Sequence, residues 1–554
     1  MSQKFKSPFV VRDGLDSDDS SGAISLREAR RSAYSLPSTW LSGCLLFIVA
    51  LTFNLYRIGT PSVWFDEAFS VELAGQPLPL LWRLVSTQEP NMGLYHLFLH
   101  GWLSVANAAG FLQTEAVVRL PSAIFAALGT VVVFLLGRRV RSNSAGIVAA
   151  ALYLLNDWQL VYAQQARAYS LQVLLLCLSW YALLSVLARP RATKWYWLIY
   201  VSTSVLAIYT HLFSVVILGT QVLALAVVWL FPGLFATGEA RKHLRSHIQV
   251  FLGCFSLVLL LSLPMLLLSR TADKTGWLPQ ARLSDLLYFW HSVSGNSKYY
   301  LLAMLAMLAI AVGLVFWSRL VAGRGQRVEE VESHVYYQTL WGWLLLCWLL
   351  VPIVSTYLIS QGSIRLFSAR YLIVVVPALT LVLAYVIGNI RWRLPRFGLV
   401  LVLLALAVMV VPFYYRSAQV EDWNSATAWV QEHFQDGDGM ICYDNSVQQG
   451  CQVAVEYYLH AYPGPAHFEA GAPGEFSWEN MGPARTAGPD EAVDPMALQT
   501  FASRHQRLIF IVGRLPDAAA ANKTSIALNW LQSHYHLESS FQKRTVQVYL
   551  YTVR

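Results

Sequence analysis

The chain has 554 residues, of which 56% are hydrophobic and only 13% charged, about half the roughly 25% charge of an ordinary soluble domain. Apolar runs of about 20 residues, the length needed to cross a hydrocarbon core, recur along most of it, so a soluble globular class is excluded. The formal net charge of +8 does not point to nucleic acid, because the basic residues cluster in short loops between apolar runs, where they set membrane orientation.

Residues 1–39 are rich in Ser, Asp and Arg and read as a disordered cytoplasmic tail. No cleavable signal peptide precedes the first apolar run, at about 40–57. A polar stretch, 58–90, follows. Further spans are expected at about 94–112, 117–137, 143–156, 169–188, 195–210, 212–232 and 248–268. A long polar loop at about 269–298 leads to spans at 299–318, 338–359, 371–388 and 397–414. Basic groups such as Arg138, Arg139 and Arg141, or Arg391, Arg393 and Arg396, close alternate spans. Placing those clusters in the cytoplasm gives about ten to twelve spans with the N-terminus inside. The loops holding Asp66, Arg167 and Arg370 and the whole C-terminal portion then lie outside. The fold class is therefore a polytopic α-helical membrane protein, its membrane domain spanning 40–414.

From 415 to 554 the composition turns soluble, and a small extracytoplasmic α/β domain is expected. In D-W-N-S-A-T-A-W-V-Q-E-H-F, Trp423, Ala426 and Val430 share one helix face. G-M-I-C-Y, R-L-I-F-I-V-G-R and V-Q-V-Y-L-Y-T-V-R read as strands, the last with strict alternation. Asn529 to His534 lies on another helix. Cys442 and Cys451 can pair if this domain faces an oxidising compartment.

The chemistry-bearing residues sit at the ends of apolar runs. Asp66 and Glu67, in V-W-F-D-E-A-F-S, cannot both point at one target. Either one takes a proton from an acceptor while the other orients, or the two are simply solvated or helix N-terminal charges. Glu89 precedes Pro90 at a turn, and His96 and His100 share a helix face. Glu89, His96 and His211 are the candidates to touch substrate or a divalent cation, Mg, Mn or Zn by donor type, although a histidine on an apolar helix also has a structural reading. Arg167 in Q-Q-A-R-A-Y and Arg370 in S-A-R-Y-L-I-V-V-V-P can each grip a phosphate through two parallel hydrogen bonds or anchor the chain at lipid headgroups. Lys298 at a span entrance belongs to the same two readings.

The ordered set V-W-F-D-E-A-F-S, E-P-N-M-G-L-Y-H, V-V-R-L-P-S-A-I-F, V-Y-A-Q-Q-A-R-A-Y-S-L, Y-T-H-L-F-S and F-S-A-R-Y-L-I-V-V-V-P runs through roughly residues 40–390. In it the chain resembles bacterial glycosyltransferase family 39, the relatives of protein O-mannosyltransferases and of the lipid A aminoarabinose transferase. The resemblance implies a GT-C fold and inverting transfer of a sugar from a polyprenyl-phosphate donor to a lipid, glycan or protein acceptor, a hexosyl- or pentosyltransferase of the plasma membrane. It further implies Asp66 as the catalytic acid-base residue with Glu67 beside it, Glu89 as a metal- or substrate-side glutamate, and Arg167 and Arg370 near the lipid phosphate. Where many bacterial members carry H-P-P-L-Y-Y, this chain has P-N-M-G-L-Y-H. The lysine that follows the glutamate in aminoarabinose enzymes is Pro90 here, so that phosphate contact does not carry over. A transporter or flippase of polyprenyl-linked sugars, and a scaffold that binds partners through its outer domain, are the rival classes. Transporters place polar groups near the bilayer midplane, whereas the acids here cluster at span ends.

Overall fold

Long uncharged runs become helices because only a helix pairs every backbone donor and acceptor within one segment in lipid. The computed structural model describes residues 39–188, 194–236, 238–269, 278–322, 329–443, 450–473, 475–479, 495–513, 518–543 and 545–553; the expected N-terminal tail lies outside the described residues, Thr39 apart. Helix α1 (Thr39–Leu55) is followed by α2 (Phe65–Gly75), α3 (Leu78–Thr87), α4 (Gly93–Ala108), α5 (Glu115–Val140), α6 (Asn143–Leu154), α7 (Asp157–Ala163) and α8 (Tyr169–Leu187). Next come α9 (Lys194–Thr210), α10 (Ser214–Leu230), α11 (Gly238–Leu261), α12 (Leu263–Leu268), α13 (Leu283–Val293), α14 (Lys298–Ala322) and α15 (Glu329–Ile359). A 3-10 stretch, Ala369–Val375, runs into α16 (Val376–Asn389), and α17 (Arg393–Ser417) closes the bundle.

Among the described residues, seven helices are long and apolar enough to cross a membrane: α5, α8, α11, α14, α15, α17, and α16 with the 3-10 stretch before it. Helices α1, α6 and α10 are shorter and apolar. The most apolar stretch of α8 is 83% buried and that of α16 94%, against 22–28% for α11, α14 and α17. Helices α8 and α16 therefore form the centre of the bundle, and α11, α14 and α17 its periphery. The stacked rings of Trp180 on α8 and Trp348 on α15, 4.8 Å apart, sit in that core. Helices α5 and α6 cross so closely at Gly137 that a Cβ there would lie 2.8 Å from the Cα of Gly146.

The polar stretch 58–90 is not simply a loop. It holds α2 and α3, which bury Val71, Leu73 and Ala74 and then Leu81, Leu84 and Val85. The expected loop 269–298 likewise contains α13, anchored by Phe289 and Val293. These helices have narrow apolar faces, too short to register as spans.

Beyond α17 the chain forms α18 (Trp423–His433), β1 (Gly439–Tyr443), α19 (Gly450–Ala461), α20 (Pro495–Ala502), β2 (Arg507–Gly513), α21 (Ala518–His534), β3 (Tyr535–Gln542) and β4 (Val546–Val553). The strand order is β1-β2-β4-β3, with β1 parallel to β2 and β4 antiparallel to both neighbours. Helix α18 buries Trp423, Ala426 and Val430, the face its spacing predicts. A disulfide between Cys442 and Cys451 ties β1 to α19. Helix α19 in turn packs along α2, so the small domain rests on the segment that carries the acids.

Candidate active site

Asp66 and Glu67 occupy the first turn of α2, where the free N–H groups of a helix favour negative charge. Successive residues on a helix point about 100° apart, and here the two acids separate completely. Glu67 turns inward and is fully buried. Its carboxylate accepts from Arg119 Nε at 2.9 Å and Nη2 at 2.8 Å, and from the Ala166 backbone N–H at 2.7 Å. Arg119, on α5, also donates to the carbonyls of Ile58, Pro61 and Ser62 at 2.7–3.0 Å. All five guanidinium N–H groups are thereby used, as a buried charge requires. Glu67 and Arg119 thus form a clamp that fixes the irregular segment 58–64 against the bundle.

The C-terminal domain holds the same segment and the start of α2 through their backbone N–H groups. The N–H of Ser62 donates to Gln419 Oε1 at 2.9 Å, that of Val63 to the Tyr458 hydroxyl at 2.6 Å, and that of Phe65 to Glu421 Oε2 at 2.8 Å. The 164–168 turn is anchored too: Gln164 Nε2 donates to the carbonyls of Asn54 and Tyr56 at 2.8 and 2.9 Å.

Asp66, by contrast, faces outward with its side chain 20% exposed. Its Oδ2 lies 3.0 Å from Arg370 Nη1 and 3.7 Å from Arg167 Nη2. Arg167 also donates to the Asp66 carbonyl at 2.9 Å and to Ser70 Oγ at 2.8 Å, so it is fixed from two sides. Burial opposes its charge, but Asp66 and Tyr169 together outweigh that and hold the guanidinium above its ordinary value. Rings wall the group. Arg370 stands over Trp64 at 5.8 Å and Arg167 over Tyr169 at 5.9 Å. Tyr169 meets His211 at 5.6 Å, and His211 meets Tyr371 at 5.3 Å.

Several buried polar atoms here lack a hydrogen-bond partner among the described residues: Trp64 Nε1, Gln165 Oε1, Arg167 Nε and His211 Nε2. His211 Nδ1 accepts from the Phe213 N–H at 3.2 Å, which assigns the ring proton to Nε2. Buried polar groups are ordinarily paired, so each of these atoms keeps hydrogen-bonding capacity; Trp64 and Gln165 line a small cavity with Glu67 and Asp157. The site offers one carboxylate and two guanidiniums, able to hold an anion while keeping a base beside it.

Among the remaining sequence candidates, His96 lies within electrostatic reach of Arg167. His96 is buried on α4 with both ring nitrogens unpartnered among the described residues. Glu89 is half-buried just after α3, its N–H on the Leu84 carbonyl at 2.8 Å. Lys298 is exposed at the first residue of α14, over the Tyr299 ring at 5.3 Å, the interfacial arrangement of its headgroup reading. Among the described residues, no three His, Cys, Asp or Glu side chains gather as a metal-holding group. Glu89, His96 and His211 are not drawn together into such a three-residue group there.

Arg119, Tyr169 and Tyr371 were not singled out from the sequence. Arg119 had a signal, a charged residue one turn into an apolar helix whose other charges, Glu115, Arg138 and Arg139, lie in its first and last turns. The two tyrosines lie two and one residues beyond Arg167 and Arg370.

A second ionisable contact joins α2 to α19. His460 Nδ1 lies 3.0 Å from Glu72 Oε2, and this hydrogen bond raises the imidazole above its ordinary value. One turn earlier, burial pushes Glu456 up to about 7, despite the hydrogen bond from Gln452. Both groups hold their proton more tightly folded than unfolded. Their contribution is thus present at low pH, below 4.5 for Glu456, and is lost as pH rises through about 7. The melting temperature is expected to fall by about 2–4 °C between pH 6 and pH 8, and Glu456→Gln should flatten that slope. An identical slope in the variant would remove Glu456 as its cause.

Sequence comparison finds no matching family model and no matching curated protein. Structural comparison does find relatives. The apo crystal structure of ArnT from Cupriavidus metallidurans aligns with 93% of this chain and 98% of its own, with a TM-score of 0.54 and 12% identity. The same protein bound to undecaprenyl phosphate aligns with 92% of this chain and 98% of its own, with a TM-score of 0.54 and 11% identity. The apo oligosaccharyltransferase of Archaeoglobus fulgidus aligns with 92% of this chain and 74% of its own, with a TM-score of 0.50 and 10% identity. This chain therefore has the GT-C fold of a multi-pass membrane protein.

Proposed function

We propose that the protein is a membrane glycosyltransferase that moves a sugar from a polyprenyl-phosphate donor to a lipid, glycan or protein acceptor on the extracytoplasmic face, with inversion. One observation carries this reading: the Asp66 carboxylate is held between two arginines, 3.0 Å from Arg370 and 3.7 Å from Arg167, on a fold whose ArnT example binds undecaprenyl phosphate. The Cys442–Cys451 disulfide fits an oxidising compartment for the C-terminal domain.

In this reading, Arg370 and Arg167 take the donor phosphate, already a good leaving group that needs no general acid. Asp66 accepts the proton of the acceptor hydroxyl or amine. The freed lone pair attacks the anomeric carbon from the face opposite the phosphate, the carbon–oxygen bond to phosphate breaks, and the configuration inverts. Charge growing on the departing phosphate is met by guanidiniums already in place. Glu67, spent on Arg119 and Ala166, acts as a positioning residue that fixes the start of α2.

Arg370→Ala tests the donor site. Undecaprenyl phosphate should bind the variant about tenfold more weakly, a loss of about 1.4 kcal/mol, as read by native mass spectrometry of the purified protein. Unchanged affinity would return Arg370 to headgroup anchoring.

A further inference from the structure

A cleft lies beside Ser62, between α5 and the C-terminal domain. The first turn of α5 and the facing sides of α18 and α19 enclose about 370 Å³, lined by Glu115, Asn424, Ser425, Thr427, Gln431 and Tyr462 among others. That volume falls within the range of small-ligand pockets. Its chemistry is distinct from that of the Asp66 group: a carboxylate, two amides, hydroxyls and tyrosine rings, with no arginine, lysine or histidine in the lining.

The site is built rather than incidental. Glu115 is 5% exposed; its Oε1 accepts from the Tyr458 hydroxyl at 3.2 Å and its Oε2 from the Tyr462 hydroxyl at 2.7 Å. An ionised carboxylate has about four lone-pair sites, so capacity remains. Tyr458 on α19 and Tyr462, just past its end, stand with rings nearly parallel, at 9° and 6.3 Å between centroids. Thr427 is 2% exposed, and its Oγ1 has no hydrogen-bond partner among the described residues. A buried hydroxyl without a partner costs about 1–3 kcal/mol, a cost that a ligand hydroxyl would relieve.

We propose that this cleft binds a neutral saccharide. Sugar hydroxyls can donate to Glu115 and exchange hydrogen bonds with the amides and Thr427, while the exposed ring of Tyr462 offers an apolar face to the ring carbons. A phosphate would meet the Glu115 carboxylate with no cation to offset it. A hydrocarbon chain would strand the carboxylate and amides without water or partners. Ser62 links the cleft to the acid site, since its Oγ accepts from the Asn424 N–H at 3.2 Å and meets the Tyr458 hydroxyl at 3.0 Å. A saccharide bound here would therefore sit against the segment that leads into α2 and Asp66. The inference goes beyond the transfer reading and stands without it, because its test is binding and not turnover.

Saturation-transfer NMR on the full chain in lipid nanodiscs tests it, with maltotriose, mannotriose and chitotriose as saccharide probes and inorganic phosphate as the anion. At least one trisaccharide should bind saturably, and phosphate should not compete. Ala428→Trp, at an exposed position on the cleft wall, should weaken that binding at least tenfold, Thr427→Val should weaken it several-fold, and Asp66→Asn should leave it unchanged. The proposal is overturned if no trisaccharide binds the folded wild type, if phosphate displaces it, or if Ala428→Trp binds as the wild type does.

Discussion

Asp66→Asn should slow sugar transfer by about 10²–10⁴-fold, the usual contribution of a positioned general base, while the protein expresses and folds normally. The substitution keeps the size of the side chain and an oxygen that Arg370 can still bond. It removes the proton acceptor and the negative charge between the two guanidiniums. Donor affinity should therefore hold or rise while kcat falls, because the phosphate no longer competes with a resident carboxylate. A loss through KM alone would instead point to a binding role. Wild-type-like turnover in the variant would take Asp66 out of the mechanism.

Arg119→Leu is expected to be among the most damaging single changes in the chain. It leaves the Glu67 carboxylate buried without its counter-ion, which typically costs about 3–5 kcal/mol. It also strips the carbonyls of Ile58, Pro61 and Ser62 of their donor. That loss is large beside the roughly 5–15 kcal/mol stability of a typical domain, so poor expression and a sharply lowered melting temperature should follow. The double variant Arg119→Leu with Glu67→Leu should regain part of the loss, because no charge is then stranded, but not the part owed to the three carbonyls. Thermal unfolding of the purified variants measures both. A single variant that melts with the wild type would show that something other than this clamp holds the 58–64 segment.

The membrane helices were readable because length and lack of charge alone decide them. In the small domain, β2 announced itself through the unbroken apolar run Leu508 to Val512, which the structure buries at the centre of the sheet. Strand β3 did not, since it is an edge strand, largely exposed, with a register shift between Leu537 and Ser539 that breaks its alternation. Helices α2 and α3 were hidden by the same polar residues that make their stretch look like a loop. The site was legible as membership of one side of the membrane. Asp66, Arg167 and Arg370 sit at span ends, and a 304-residue separation between Asp66 and Arg370 closes to 3.0 Å. What spacing could not reveal was the division of labour between adjacent acids. Asp66 and Glu67 look equivalent in the chain, and only the reach of Arg119 from α5 gives one of them a buried partner and leaves the other facing out.

Release of undecaprenyl phosphate from a radiolabelled undecaprenyl-phosphate sugar by the purified protein, with and without a membrane extract as acceptor source, tests sugar transfer at the Asp66 group most directly. Release that requires the acceptor and moves the label onto it is the expected result. Intact donor in the presence of every acceptor fraction, with the protein folded and undecaprenyl phosphate bound, would contradict it.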